Sequence, residues 1–139
     1  MNSTVFFDTT AFEALICRDH PGHAAARRYL EFSVIRKTPL ISSRHILYAL
    51  ADTLRRRTPG VPAATIINAL LTSRMVRFES LTPEDESEAW RLYIEMDSPW
   101  WDFQHCATVA QLNRLGIRNV FCFDSQYARY GFKTIPEDF

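Results

Sequence analysis

Val5-Phe6-Phe7-Asp8-Thr9-Thr10 passes in one step from three apolar residues to a carboxylate and two hydroxyls. Near the other end, Val120-Phe121-Cys122-Phe123-Asp124-Ser125 does the same. A short, continuous apolar run bounded by polar residues is the pattern of a strand buried on both faces of a parallel sheet. Two further strands are predicted at Pro39–Ile41 and Met75–Phe78, and a last one at Phe132–Ile135. Helical stretches lie between them. Thr9–Ile16 is one, and a second starts at His23 with an alanine run. Ser42 or Ser43 caps a third, whose Ile46, Leu47, Leu50 and Leu54 share one face. A fourth spans Pro62–Thr72. The fifth opens with Thr82 as cap, Pro83 at the first position and acids in the first turn, and turns Ala89, Leu92 and Tyr93 inward. The sixth spans Asp102–Leu115 and closes on Gly116. Strands alternating with helices imply βαβ units. The expected fold is a single α/β domain over residues 1–139, with helices in layers on both faces of a central, mostly parallel sheet.

Composition narrows the function classes. The chain has 139 residues, 47% hydrophobic and 23% charged, as in ordinary globular proteins. Sixteen basic and sixteen acidic side chains cancel, which excludes a basic nucleic-acid tail or an acidic tail. The halves are opposed, however. Residues 1–78 hold eleven Lys/Arg against five Asp/Glu, and residues 79–139 hold five against eleven. Acids and an arginine among the first twenty residues argue against a signal peptide, and no apolar run is long enough to span a membrane. Cys17, Cys106 and Cys122 form no CxxC pair and read as reduced thiols. A cytoplasmic protein is expected.

Asp8 and Asp124 both fall where an open α/β sheet binds its ligands, beyond the carboxyl ends of strands. Each could simply cap the helix that follows. Taken together they read as one site, because neighbouring carboxylates repel unless they share a cation. Hard oxygen ligands suit Mg²⁺ or Mn²⁺, ions that activate water for attack on phosphate.

The opening VFFDTTAFEALICRDHPGHAAARRYL resembles the start of PIN-domain ribonucleases. The closing NRLGIRNVFCFDSQYARYGF is similar to the end of the same family: a Gly-Ile turn, a strand, an Asp, an aromatic three residues later, then Gly-Phe. The middle segment ISSRHILYALADTLRRR resembles the part after the second strand. The nearest branch looks like the VapC-type toxins of toxin–antitoxin pairs. The resemblance implies a metal-dependent endoribonuclease with Mg²⁺ or Mn²⁺ as cofactor, an antitoxin protein as partner, and a homodimer. Its site would be a ring of four acids. The first matches Asp8 and the fourth Asp124. The second falls on Ala49 and the third on His105.

Three arrangements fit these two departures. The acids are relocated by one helical turn, to Asp52 and Asp102. Or His105 joins Asp8 and Asp124, with Asp102 nearby, around an ion that accepts imidazole. Or the site is degenerate, and the alternative function is a catalytically impaired domain acting by RNA or protein binding. A protonated His105 would offset carboxylate repulsion, so weak Mg²⁺ binding is expected. For RNA, the basic positions are Arg44 and Arg55-Arg56-Arg57, the last three also suited to a helix C-terminus. Trp100 and Trp101 stand beside the expected site as candidate partner contacts. His20 and His23 flank a Pro-Gly turn and read as turn residues. The acidic run from Glu79 to Asp97 reads as a solvated or partner-facing surface.

Overall fold

A computed structural model describes residues 3–99 and 101–137. Trp100 lies outside the described residues. Five strands form one sheet: β1 (Val5–Phe7), β2 (Leu40–Ser43), β3 (Arg77–Glu79), β4 (Asn119–Phe121) and β5 (Lys133–Ile135). Their order is β3-β2-β1-β4-β5, and every pairing is parallel. Helices α1 (Thr9–Ile16), α2 (His23–Arg36), α3 (Arg44–Arg57) and α4 (Ala63–Thr72) connect β1 to β2 and β2 to β3. Helices α5 (Pro83–Met96) and α6 (Phe103–Leu115) connect β3 back to β4. The chain steps one way across the sheet and then returns past β1. Right-handed crossovers therefore put α1–α4 on one face and α5–α6 on the other.

The apolar triplets make the middle of the sheet because both of their faces are covered. Val5, Phe6 and Phe7 are all buried, as are Val120 and Phe121. Phe7 stacks edge-on against Phe121 at 4.8 Å and lies 5.2 Å from Phe12 of α1. Ile46, Leu47, Leu50 and Leu54 present the expected buried face of α3. Helix α6 buries every residue from Cys106 to Leu112, since the sheet covers one side and α5 the other. Gly116 ends it at φ 69°, a conformation that favours glycine.

Several local readings change, the third strand among them, which lies at Arg77–Glu79 rather than Met75–Phe78. The second strand runs on through Ser42 and Ser43, because Ser42 Oγ donates to the Phe7 carbonyl at 2.7 Å and is satisfied inside the sheet. The fourth strand stops at Phe121, two residues early: the Phe123 amide donates to Thr10 Oγ1 at 2.9 Å rather than to a strand. Tyr93 points outward and stacks on Trp90 at 5.4 Å, while Ala89 and Leu92 face the core as expected. The acidic helix is also not purely solvated. Asp85 is 2% exposed and accepts both arms of the Arg114 guanidinium, at 2.8 and 2.9 Å, which locks α5 to α6.

Candidate active site

The strand order reverses between β1 and β4, which makes that gap the switch point where an open sheet binds ligands. Asp8 follows β1 and Asp124 follows β4, so the sequence places a carboxylate on each side of it. Asp8 is the N-cap of α1 and is buried. Its Oδ1 accepts from the Tyr127 hydroxyl at 2.9 Å, and its Oδ2 from the Thr10 hydroxyl at 3.1 Å. Burial pushes the Asp8 carboxyl above its usual range, and the Tyr127 hydrogen bond and the charge of His105 only partly pull it back.

Asp124 is held by two partners. Its Oδ1 accepts from the Gln126 amide at 2.9 Å, and its Oδ2 accepts from His105 Nε2 at 2.7 Å. The other ring nitrogen of His105 reaches Asp102 Oδ1 at 2.8 Å. Asp102 caps α6, accepting the His105 amide at 2.9 Å. One imidazole therefore bridges two carboxylates. Burial alone would depress the His105 pKa, but the hydrogen bonds to Asp102 and Asp124 outweigh it and raise the value to about 10. Burial likewise opposes ionisation of Asp124, and the His105 hydrogen bond overrides it to hold that carboxyl below its usual range. His105 lies under the Trp101 ring, with centroids 4.7 Å apart and planes 26° from parallel.

The remaining expected residues divide. Ala49 is half-buried on α3 and offers no carboxylate, and Asp52 is exposed in the groove between α3 and α4, with Arg55 and Asn68. Asp52 is thus no substitute for the second acid. Arg44 opens α3 at the site end of the sheet and is exposed. Arg55, Arg56 and Arg57 are exposed on its last turn, about 17 Å along the axis from Arg44 at ~1.5 Å per residue. Arg57 pairs with Glu13 of α1 at 3.5 Å. Trp101 is not a partner contact: it is 3% exposed and packs between His105 and Tyr130. His20 and His23 serve the turn as expected, His20 Nδ1 accepting from the Gly22 amide and His23 Nδ1 donating to the Ala14 carbonyl.

Two groups at the site escaped individual notice in the sequence, Tyr127 and Thr10. Both had a signal, as the aromatic three residues after Asp124 and the hydroxyl two residues after Asp8. A third, His45, had none. Its ring nitrogens meet Ser43 Oγ and Thr108 Oγ1, each at 2.8 Å, and burial lowers its pKa to about 4. It is a neutral tie between α3 and α6.

Residues 5–133 match the model of the PIN domain. The chain belongs to the PIN-domain family. Within this PIN family the chain is similar to the 23S rRNA-specific endonuclease VapC20 of Mycobacterium tuberculosis. The two are 30% identical over 135 residues, covering 96% of this chain and 99% of the relative, and this holds in both the CDC 1551 / Oshkosh and H37Rv strains. The crystal structure of Mycobacterium tuberculosis VapC20, titled a sarcin–ricin-loop-cleaving toxin, superposes with a TM-score of 0.80 at 29% identity, covering 92% of this chain and 95% of that one. The chain is of the VapC-like branch.

PIN and VapC nucleases generally use divalent metal ions. The side chains here do not fit one as they are arranged. Two of the four positions where the family's acids would fall carry Ala49 and His105, and the imidazole is bonded to Asp124 Oδ2. Among the described residues no group of three His, Cys, Asp or Glu side chains is placed to hold an ion.

Proposed function

We propose that this chain is a VapC-type endoribonuclease that cuts a structured RNA, with a ribosomal stem-loop as the first substrate class to test. The observation that carries the reading is the nearly end-to-end likeness to a ribosomal-RNA endonuclease, combined with two carboxylates flanking the switch point of the sheet. That likeness favours an enzyme over a domain that only binds. The reaction class is cleavage of a phosphodiester. Asp8 and Asp124 define the site, and His105 brings a positive charge toward the phosphate. Arg44, at the site end of α3, is placed to meet the RNA backbone, and Arg55, Arg56 and Arg57 would extend that contact along the helix.

Two finer expectations belong to the same reading: an antitoxin protein as partner, and a homodimer in a cytoplasmic setting. Among the described residues no helix is long and apolar enough to cross a membrane. The test is incubation of the purified chain with 23S ribosomal RNA, in separate reactions with Mg²⁺ and Mn²⁺, followed by mapping of the new ends. Discrete cleavage that is lost in Asp8→Asn supports the reading. Cleavage unchanged in Asp8→Asn overturns it.

A further inference from the structure

We infer that His105 is a built-in cation at one of the family's acid positions, so that the resting site of this chain offsets part of its own carboxylate charge without metal and does not take up Mg²⁺. The inference rests on the PIN-nuclease reading, because only that family creates the expectation of an ion here.

The argument starts from hydrogen bonds. Nδ1 of His105 faces Asp102 Oδ1 at 2.8 Å, and Nε2 faces Asp124 Oδ2 at 2.7 Å. An ionised carboxylate only accepts, so both ring nitrogens must donate, and an imidazole with two N–H groups is an imidazolium. Both distances fall in the range of charge-assisted bonds. The face of the ring is covered by the indole of Trp101 at 4.7 Å, and a cation against an indole face is further stabilised. The cation is therefore gripped at both ends and on one face. Its side chain is 18% exposed.

One other change lowers the charge that a metal would offset. Ala49 takes away the second family acid and one negative charge. Asp8 accepts one hydrogen bond on each oxygen, from Tyr127 and from Thr10, so part of its stabilisation comes from the chain itself. Binding Mg²⁺ would bring a doubly charged ion beside an imidazolium and break its bond to Asp124. The substitutions at the second and third family positions thus read as one device: fewer acids, and a cation supplied by the chain.

The experiment has two arms. In the first, ¹H–¹⁵N correlation of the His105 ring at pH 7.5 is recorded without and with 10 mM MgCl₂ (about the upper end of useful metal concentrations, where mass action would reveal a weak site). The expected result is an imidazolium in both. A neutral tautomer, or loss of a ring proton on adding Mg²⁺, overturns the inference. In the second, thermal unfolding of wild type and of the Ala49→Glu/His105→Asp variant is followed with and without Mg²⁺. Wild type should not shift, and the double variant should rise by about 5 °C. A wild-type shift of that size, or none in the double variant, overturns the inference. The first arm needs no variant to fold. Neither arm reads RNA cleavage, so a chain that cuts RNA but binds Mg²⁺ tightly refutes this inference alone, and a chain that cuts no RNA leaves both readouts intact.

Discussion

Stability should fall as pH rises above neutral, and His105 should account for the fall. The imidazolium between Asp102 and Asp124 has a folded pKa of about 10 against an ordinary 6.5. A raised folded pKa means that the folded chain holds the proton more tightly than the unfolded one. Its contribution is therefore complete below pH 6.5, declines between 6.5 and about 10, and is gone above that. At 1.36 kcal/mol per unit, the gap sets an upper bound of about 5 kcal/mol. Asp102 is 63% exposed, so solvent screens its share; with that contact discounted, about 2 kcal/mol is the lower bound. On the acid side, Asp102 and Asp124 lie below their usual 3.8 in the folded chain. Their contribution is present above pH 3.8 and is lost as pH drops through those lower values. The clamp is thus strongest from about pH 4 to 6.5. Replacing His105 by Gln keeps one donor and removes the charge. Urea unfolding of wild type and His105→Gln at pH 6, 8 and 10 measures the difference directly. The account expects a gap of about 2–5 kcal/mol at pH 6 that shrinks steadily toward pH 10. A gap that stays constant across this range, or no gap at pH 6, would refute the reasoning.

Three other outcomes follow from single contacts. Asp85→Ala removes both the bidentate partner of Arg114 and half of the Thr82 capping box; a loss of about 3 kcal/mol in urea unfolding is expected, about 1 from the cap and the rest from the ion pair. Gln111 is fully buried on α6, and neither end of its amide has a partner among the described residues. Gln111→Met should therefore raise stability by about 1 kcal/mol, read as an increase in the urea midpoint at unchanged slope. Arg44→Ala should weaken RNA binding and reduce the slope of log K against log salt by about 0.7–0.9, the loss of one phosphate contact, measured by filter binding across a salt series.

The fold was legible because its signals are local. VFFD and VFCFD mark central strands, Thr82-Pro83 starts a helix, Gly116 ends one, and alternation of elements leaves a parallel sheet as the consistent answer. What escaped depends on contacts between segments far apart in the chain. Ser43 is the N-cap of α3, as its position suggests, while Ser42 looks like a cap until the Phe7 carbonyl is seen to accept from it. No periodicity around Trp101 says that its ring turns inward, and it does so because His105 and Tyr130 form a slot for it. At the site, Asp8 and Asp124 were readable from their positions after strands. The pairing of Asp102 with His105 spans one helical turn and was half visible. That the second carboxylate on the imidazole is Asp124, while Asp8 turns to Tyr127 and Thr10, depends on how α6 and β4 pack.

The opposed charge of the two halves also gains a structural meaning. The acids of α5 are spent largely within the fold: Asp85 on Arg114, and Glu88 and Glu95 on Arg91. The basic residues of α3 stay exposed, and Arg57 also reaches Glu13, so the neutral total leaves local positive charge on the surface of α3.

The most direct test of the central claim is end-mapping of 23S ribosomal RNA after incubation with the purified chain and with Asp124→Asn. The account predicts cleavage at a discrete position by the wild-type chain and none by the variant. Cleavage by both proteins alike, or an RNA left intact by the wild-type chain with either Mg²⁺ or Mn²⁺ present, would contradict it.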